Sequence, residues 1–127
     1  MLKVLLVDDE PFIVQGLSAL IDWEKEGFEI VGTAGNGSEA VEFLKSNPVD
    51  LILADIKMPV MNGLEFLKYI RETHLSEAFF VILSGYGDFT YAKEAIKWQC
   101  TDYILKPIQK SQLLALLSKV KQMQQDK

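Results

Sequence analysis

The sequence predicts an α/β protein, a three-layer doubly wound parallel sheet of five strands, and three observations carry that expectation. Five short apolar runs recur along the 127 residues. Each is followed by a segment whose apolar residues repeat at helical spacing. The first run is apolar at every position instead of alternating, the pattern of a strand buried on both faces beneath helices.

Taken in order, Val4 to Val7 form the first run, and they end in Asp8, Asp9 and Glu10 followed at once by Pro11. Ile13, Leu17, Leu20 and Ile21 then share one helical face. A second run, Phe28 to Val31, leads to Asn36 and Glu39, which have the spacing of a capping box. The third run, Leu51 to Ala54, leads to a second such pair, Asn62 and Glu65, with Leu64, Leu67 and Ile70 on one face behind it. After the fourth run, Phe79 to Leu83, Asp88 is expected to cap a helix. In that helix Ala92, Ala95 and Ile96 should face the sheet, while Lys93 and Lys97 lie four apart on one side. Tyr103 to Leu105 make the fifth run. Ser111 is expected to cap the last helix, whose buried stripe is Leu113, Leu116, Leu117 and Val120. The closing QMQQDK, residues 122–127, is polar enough to fray.

Composition bounds the class. With 49% hydrophobic and 24% charged residues, the chain reads as one globular domain over residues 1–127. A chain of this length buries about two thirds of its unfolded surface and needs no disulfide staple. Cys100 is the single cysteine, which fits a reducing compartment, so a cytoplasmic protein is expected. No apolar run approaches the ~20 residues of a spanning helix, so no membrane partner is expected. A net charge of −5 with scattered lysines and arginines argues against nucleic-acid binding by this chain. The GTAGNG stretch, Gly32 to Gly37, has its glycines in the wrong order and after the wrong strand for a dinucleotide fingerprint.

In a sheet of this kind ligands bind beyond the carboxyl ends of the strands. That places Asp8 and Asp9, Asp55, Ser84 and Lys106 on one rim. Three carboxylates suit a hard divalent cation such as Mg²⁺, and with one lysine beside them the site is close to neutral once the cation is bound. An aspartate can itself be a nucleophile toward phosphorus, and Asp55 is the candidate because its run is central. Lys106 would neutralise phosphoryl oxygens and the Ser84 hydroxyl would bond one of them. Each residue also has a plainer reading. Asp8 and Asp9 alone are solvated acids or a cap before Pro11, Asp55 caps a turn, Ser84 is a turn residue and Lys106 a surface lysine before proline. Tyr103 alone is a packed strand aromatic. Trp98 reads as packing, His74 as a solvated loop residue and Cys100 as a small buried hydrophobe.

Together, VDDEP, ADIKMPVMNG, LSGYG and DYILKP resemble the receiver domain of two-component response regulators over essentially the whole chain. LIDWEKEGFEIVG and LSGYGDFTYAKEAIK are similar to receivers of YesN-like regulators, which precede an AraC-type DNA-binding domain. The resemblance implies a flavodoxin-like (βα)5 fold with strand order 2-1-3-4-5. It implies phosphorylation of Asp55 by a sensor histidine kinase, with Asp8, Asp9, Asp55 and the Lys57 backbone carbonyl around Mg²⁺. It implies a switch formed by Ser84 and Tyr103, and a cis bond at Lys106-Pro107. Lys57 and Tyr86 would border the path of attacking water, and 122–127 would lead toward an effector domain outside this chain. One position departs from the pattern: Gln99 stands where many receivers carry glycine, so a left-handed helix end there would cost about 1 kcal/mol.

The function expected is a phosphorylation-dependent signalling switch, not a turnover enzyme. Its output surface would be the fourth helix, fifth strand and fifth helix, through which phosphorylated copies would pair to regulate transcription. Two alternatives belong to other classes. A Mg²⁺-dependent phosphohydrolase with an aspartyl-phosphate intermediate would need a general acid or a cap domain that the sequence does not offer. A constitutive binding module would leave the site unused.

Overall fold

The computed structural model describes residues 1–85 and 91–126, without the side chain of Ala92. The expected cap Asp88 and the water-path residue Tyr86 lie outside the described residues, and the orientation of Ala92 is likewise not described. The elements are β1 (Leu2–Val7), α1 (Pro11–Leu20), β2 (Phe28–Ala34), α2 (Gly37–Ser46), β3 (Leu51–Asp55), α3 (Gly63–Glu72), β4 (Phe79–Ser84), α4 (Ala92–Lys97), β5 (Asp102–Leu105) and α5 (Lys110–Gln125). All strand pairs are parallel, in the order β2-β1-β3-β4-β5. This is the flavodoxin-like arrangement, and each apolar run occupies a strand.

Alternation along the strands sorts the core into two layers. Leu5, Val7, Ile52, Ala54, Phe80 and Ile82 pack under α2 and α3, where Phe66 meets Phe80 at 5.5 Å between ring centres. Val4, Leu6, Leu51, Leu53, Phe79, Val81 and Leu83 pack against α1 and α5. Both faces of β1, β3 and β4 are thus dry, and truncating Leu53 to alanine would cost about 2–5 kcal/mol. β2 runs past its apolar stretch because Gly32, Thr33 and Ala34 continue the backbone pairing with Leu5, Leu6 and Val7 after the register shifts. An edge strand needs hydrogen bonds more than it needs apolar side chains there.

One capping box is borne out, and several other local expectations are corrected. Asn62 and Glu65 form the full reciprocal box, with Glu65 N–H donating to Asn62 Oδ1 at 2.8 Å and Asn62 N–H to Glu65 Oε1 at 3.0 Å. Asn36 caps α2 by accepting from Glu39 N–H at 3.0 Å, but the Glu39 carboxylate reaches back one residue further, to Gly35 N–H at 3.2 Å. Ser111 does not cap α5: the helix already begins at Lys110, and Gln112 Oε1 accepts from Gln109 N–H at 3.0 Å. Ile96 does not face the sheet and is 74% exposed. The inward stripe of α4 instead runs through Tyr91, Ala95 and Trp98, spaced four and three apart, and this stripe fixes the helix rotation.

Gln99 keeps the left-handed conformation, at φ 64, without being glycine. Arg71, in the last turn of α3, secures that corner: its guanidinium donates to Ser76 O and Ala78 O at 2.8 Å each, and to Trp98 O and Gln99 O at 3.3 Å each. Burial pulls the Arg71 pKa below its ordinary value, yet four carbonyl partners accept from it. Trp98 packs on the core with Lys97 and Lys68 near its ring, His74 lies exposed, and Cys100 is half-buried with its thiol pushed up by burial.

Candidate functional site

The site is assembled from the carboxyl ends of β1, β3, β4 and β5. Asp8 follows β1 directly, its N–H held by Ala34 O at 3.0 Å, and its Oδ1 accepts from Glu10 N–H at 2.9 Å where α1 begins. Its side chain is buried, whereas Asp9 is exposed. Asp55 ends β3, buried, with Oδ1 accepting from its neighbour Ile56 N–H at 2.8 Å. The loop after Asp55 folds straight back on it: Gly63 N–H donates to Ile56 O at 2.9 Å. A side chain at Gly63 would collide with the Asp55 carbonyl, so only glycine permits this return.

Lys106, at the end of β5, reaches across the sheet. Its Nζ stands 2.9 Å from Asp8 Oδ2 and 3.2 Å from Asp55 Oδ2. Asp8, Asp9 and Asp55 each offer an oxygen within 4.8 Å of the others. Asp8, Asp9, Asp55 and Lys106 are therefore brought together as the sequence placed them. Ser84, wholly buried at the end of β4, accepts a hydrogen bond from Tyr103 Oη at 3.1 Å and donates to Gly85 O at 3.1 Å. Lys106 N–H donates to Ser84 O at 2.7 Å, and the Lys106-Pro107 peptide is cis. Lys57 is exposed in the turn beyond Ile56.

Charge in this cluster is unbalanced. Burial raises the Asp55 carboxyl above its ordinary value, Lys106 pulls it down, and Asp8 pushes it up again, leaving it raised. Burial works to lower the Lys106 ammonium, but the hydrogen bond to Asp8 and the charges of Asp55 and Asp8 outweigh it and leave it raised. Among the described residues, the Lys106 ammonium contacts the carboxylates of Asp8 and Asp55, and Asp9 adds a third carboxylate beside them. An all-oxygen donor set with excess negative charge fits a hard divalent cation, and Mg²⁺ in particular uses one or two carboxylates with water and phosphate oxygens. Beside Lys106 and Pro107 opens an apolar groove of about 480 Å³, walled by Ile13, Leu20 and Ile108, with Phe12 85% exposed at its edge.

Three contacts were not anticipated from the sequence. The Gly63 return and the Arg71 clamp depend on tertiary contacts that no periodicity encodes. So does a hydrogen bond from Gly37 N–H to Met61 O, at 2.9 Å, between α2 and the loop after β3.

A sequence model described as the response regulator receiver domain matches residues 4–118. An uncharacterized transcriptional regulatory protein, YesN of Bacillus subtilis, is 40% identical over 120 residues, covering 94% of this chain and 32% of that protein. The transcriptional regulatory protein HptR of Staphylococcus aureus is 37% identical over 120 residues, covering 94% of this chain and 46% of that one. This chain thus spans less than half the length of these relatives. Among solved structures, the receiver domain of AraT, a response regulator from Geobacillus stearothermophilus, superposes with a TM-score of 0.88 at 39% identity, covering 99% of this chain and 98% of that one. A two-component transcriptional regulator AraC from Clostridium phytofermentans gives 0.85 at 33% identity, over 96% and 94% of the two chains.

Proposed function

We propose, from the premise that this chain belongs to the response regulator receiver domain family, that Asp55 is its phosphoacceptor and that a sensor histidine kinase is its phosphodonor. The observation that carries this reading is the Lys106 ammonium bridging Asp8 and Asp55 at 2.9 and 3.2 Å, with Asp9 beside them. Asp8, Asp9, Asp55 and the Lys57 carbonyl would hold Mg²⁺, which supplies charge neutralisation for the phosphoryl oxygens. Asp55 attacks phosphorus through a carboxylate oxygen, and as that P–O bond forms the P–N bond to the donor histidine breaks, its electron pair returning to the ring nitrogen. Lys106 shifts its contact from carboxylate to the transferred group. The apolar groove edged by Phe12 lies beside Lys106 and fits the approach of the donor protein.

Signal transmission starts at Ser84. Its hydroxyl turns from Gly85 O to a phosphoryl oxygen, and Tyr103, already donating to Ser84 Oγ at 3.1 Å, is held inward by the same hydroxyl. On this reading phosphorylation strengthens a contact that Tyr103 already makes with Ser84. Tyr103 lies on β5 between α4 and α5, the face that leaves Ile96 and Leu105 exposed. Phosphorylated copies pair through this face, and in relatives that are transcriptional regulators the remaining length lies outside the matched region. Mass spectrometry after incubation with acetyl phosphate and Mg²⁺ tests the reading: one added phosphoryl group, absent in Asp55→Asn.

A further inference from the structure

The glycine-rich turn that fails as a nucleotide fingerprint has another use in the folded chain. Gly37 opens α2, and its N–H donates to Met61 O at 2.9 Å. A Cβ added to Gly37 would stand 2.7 Å from Met61 Cγ and 2.9 Å from Met61 O, so the bare Cα is what lets the two segments meet. On the other side of this contact, Met61 N–H turns back to Pro59 O at 2.7 Å, closing a three-residue turn about Val60. Val60 sits at φ 68, a left-handed value that a β-branched residue rarely adopts and that belongs to a rare, strained kind of turn. Its side chain is 83% exposed, so its own packing does not hold it there. The constraint comes from the ends: Gly37 grips Met61, while the Asn62–Glu65 box and the Gly63 N–H to Ile56 O bond fix the chain that follows.

We propose that Gly37 is a positioning residue for the cation site: by holding the Met61 carbonyl it keeps the Val60 turn wound and so fixes the Lys57–Met58 segment leaving Asp55. This rests on the reading of Asp8, Asp9, Asp55 and the Lys57 carbonyl as Mg²⁺ ligands. A backbone carbonyl is a useful ligand for so geometry-demanding a cation only if its segment is held still, and supporting contacts of this kind are worth about 10–100-fold in metal affinity.

The test compares Gly37→Ala, Gly35→Ala and Val60→Gly by calorimetric Mg²⁺ titration and by amide hydrogen exchange on the metal-free chain. Gly35→Ala is the control, because a Cβ there meets the Glu39 carboxylate no closer than 3.5 Å and leaves the Met61 contact alone. Gly37→Ala is expected to bind Mg²⁺ about tenfold more weakly and to exchange the Lys57, Met58 and Met61 amides severalfold faster. Gly35→Ala is expected to match the parent in both. With Val60→Gly the turn no longer needs holding, so adding Gly37→Ala to it is expected to cost less than about twofold in affinity. If Gly37→Ala alone proves too unstable to titrate, its amide exchange carries the test: the Lys57, Met58 and Met61 amides are expected to quicken more than those of the central strands, and uniform quickening overturns the proposal. Parent-like binding and exchange in Gly37→Ala, or a penalty undiminished by Val60→Gly, overturns the proposal. If Asp9→Ala also binds like the parent, the ligand reading itself fails and this inference with it. If Asp9→Ala weakens binding and Gly37→Ala does not, only the positioning role fails.

Discussion

The Lys106 ammonium stands 3.2 Å from the Asp55 carboxylate while it bonds Asp8 at 2.9 Å, so one cation serves two buried acids from different strands. Removing it leaves both acids without that charge. Lys106→Gln is expected to destabilise the metal-free chain by about 3 kcal/mol, the usual cost of stripping one partner from a buried ion pair. Mg²⁺ should restore part of the loss, because a ligand that binds only the folded state stabilises it by mass action. Urea denaturation with and without Mg²⁺ measures both.

Asp55 carries the opposite sign. Its carboxyl is raised above the ordinary 3.8, first by burial and then by Asp8, against the pull of Lys106. A raised acid holds protons in the folded state that it releases in the unfolded one. Its contribution to stability is therefore complete below about pH 3.8 and is lost as pH climbs through the raised value. Asp55→Asn, which cannot ionise, is expected to be more stable than the parent in metal-free buffer at pH 7, with the advantage fading as pH falls through the raised value and gone below about 3.8. Urea midpoints at the two pH values check the sign, and an advantage that grows on acidification contradicts it.

Phe12 separates docking from chemistry. It is 85% exposed at the edge of the groove beside Lys106, so Phe12→Ala should change stability by less than about 0.5 kcal/mol. Phosphotransfer from a histidine kinase that serves the parent should slow about tenfold, the scale of one lost interface anchor. Labelling by acetyl phosphate should be unchanged. Equal slowing with both donors would assign Phe12 to the site itself.

Tyr103→Phe removes only the hydroxyl that donates to Ser84 Oγ. The variant should still accept a phosphoryl group but should show weaker self-association when beryllofluoride, a mimic of that group, is added. Sedimentation velocity reads the difference, and Ser84→Ala should behave alike. Association that ignores both substitutions would disconnect the α4, β5 and α5 face from the site.

How much of this was legible in the sequence follows from the kind of signal involved. Strands buried on both faces are written as apolar runs, so β1, β3 and β4 and the residues at their ends were readable, and the shorter run of β5 added Lys106 to the gathering of Asp8, Asp9 and Asp55. β2 was readable only to Val31, because an edge strand continues through Gly32 and Thr33 on backbone pairing alone. On α4 Ala95 faces the sheet as expected, but Ile96 does not, since six residues are too few for a periodicity to separate the two. The Asn62–Glu65 box was legible with both partners, whereas Glu39 reaches Gly35 and α5 starts ahead of Ser111, because residue type alone does not fix where a helix begins or how far a side chain reaches back. The Gly37–Met61 contact and the Arg71 clamp had no sequence signal, because the first joins two backbone groups and the second takes the Arg71 guanidinium to backbone carbonyls, partners that carry no side-chain identity.

The most direct test of the account is intact and peptide mass spectrometry of the chain after incubation with acetyl phosphate and Mg²⁺, set beside Asp55→Asn treated identically. The account predicts one added phosphoryl group on the parent, located on Asp55, dependent on Mg²⁺ and lost in the variant. A parent that takes up no phosphoryl group, or an Asp55→Asn chain labelled as fully as the parent, would contradict it.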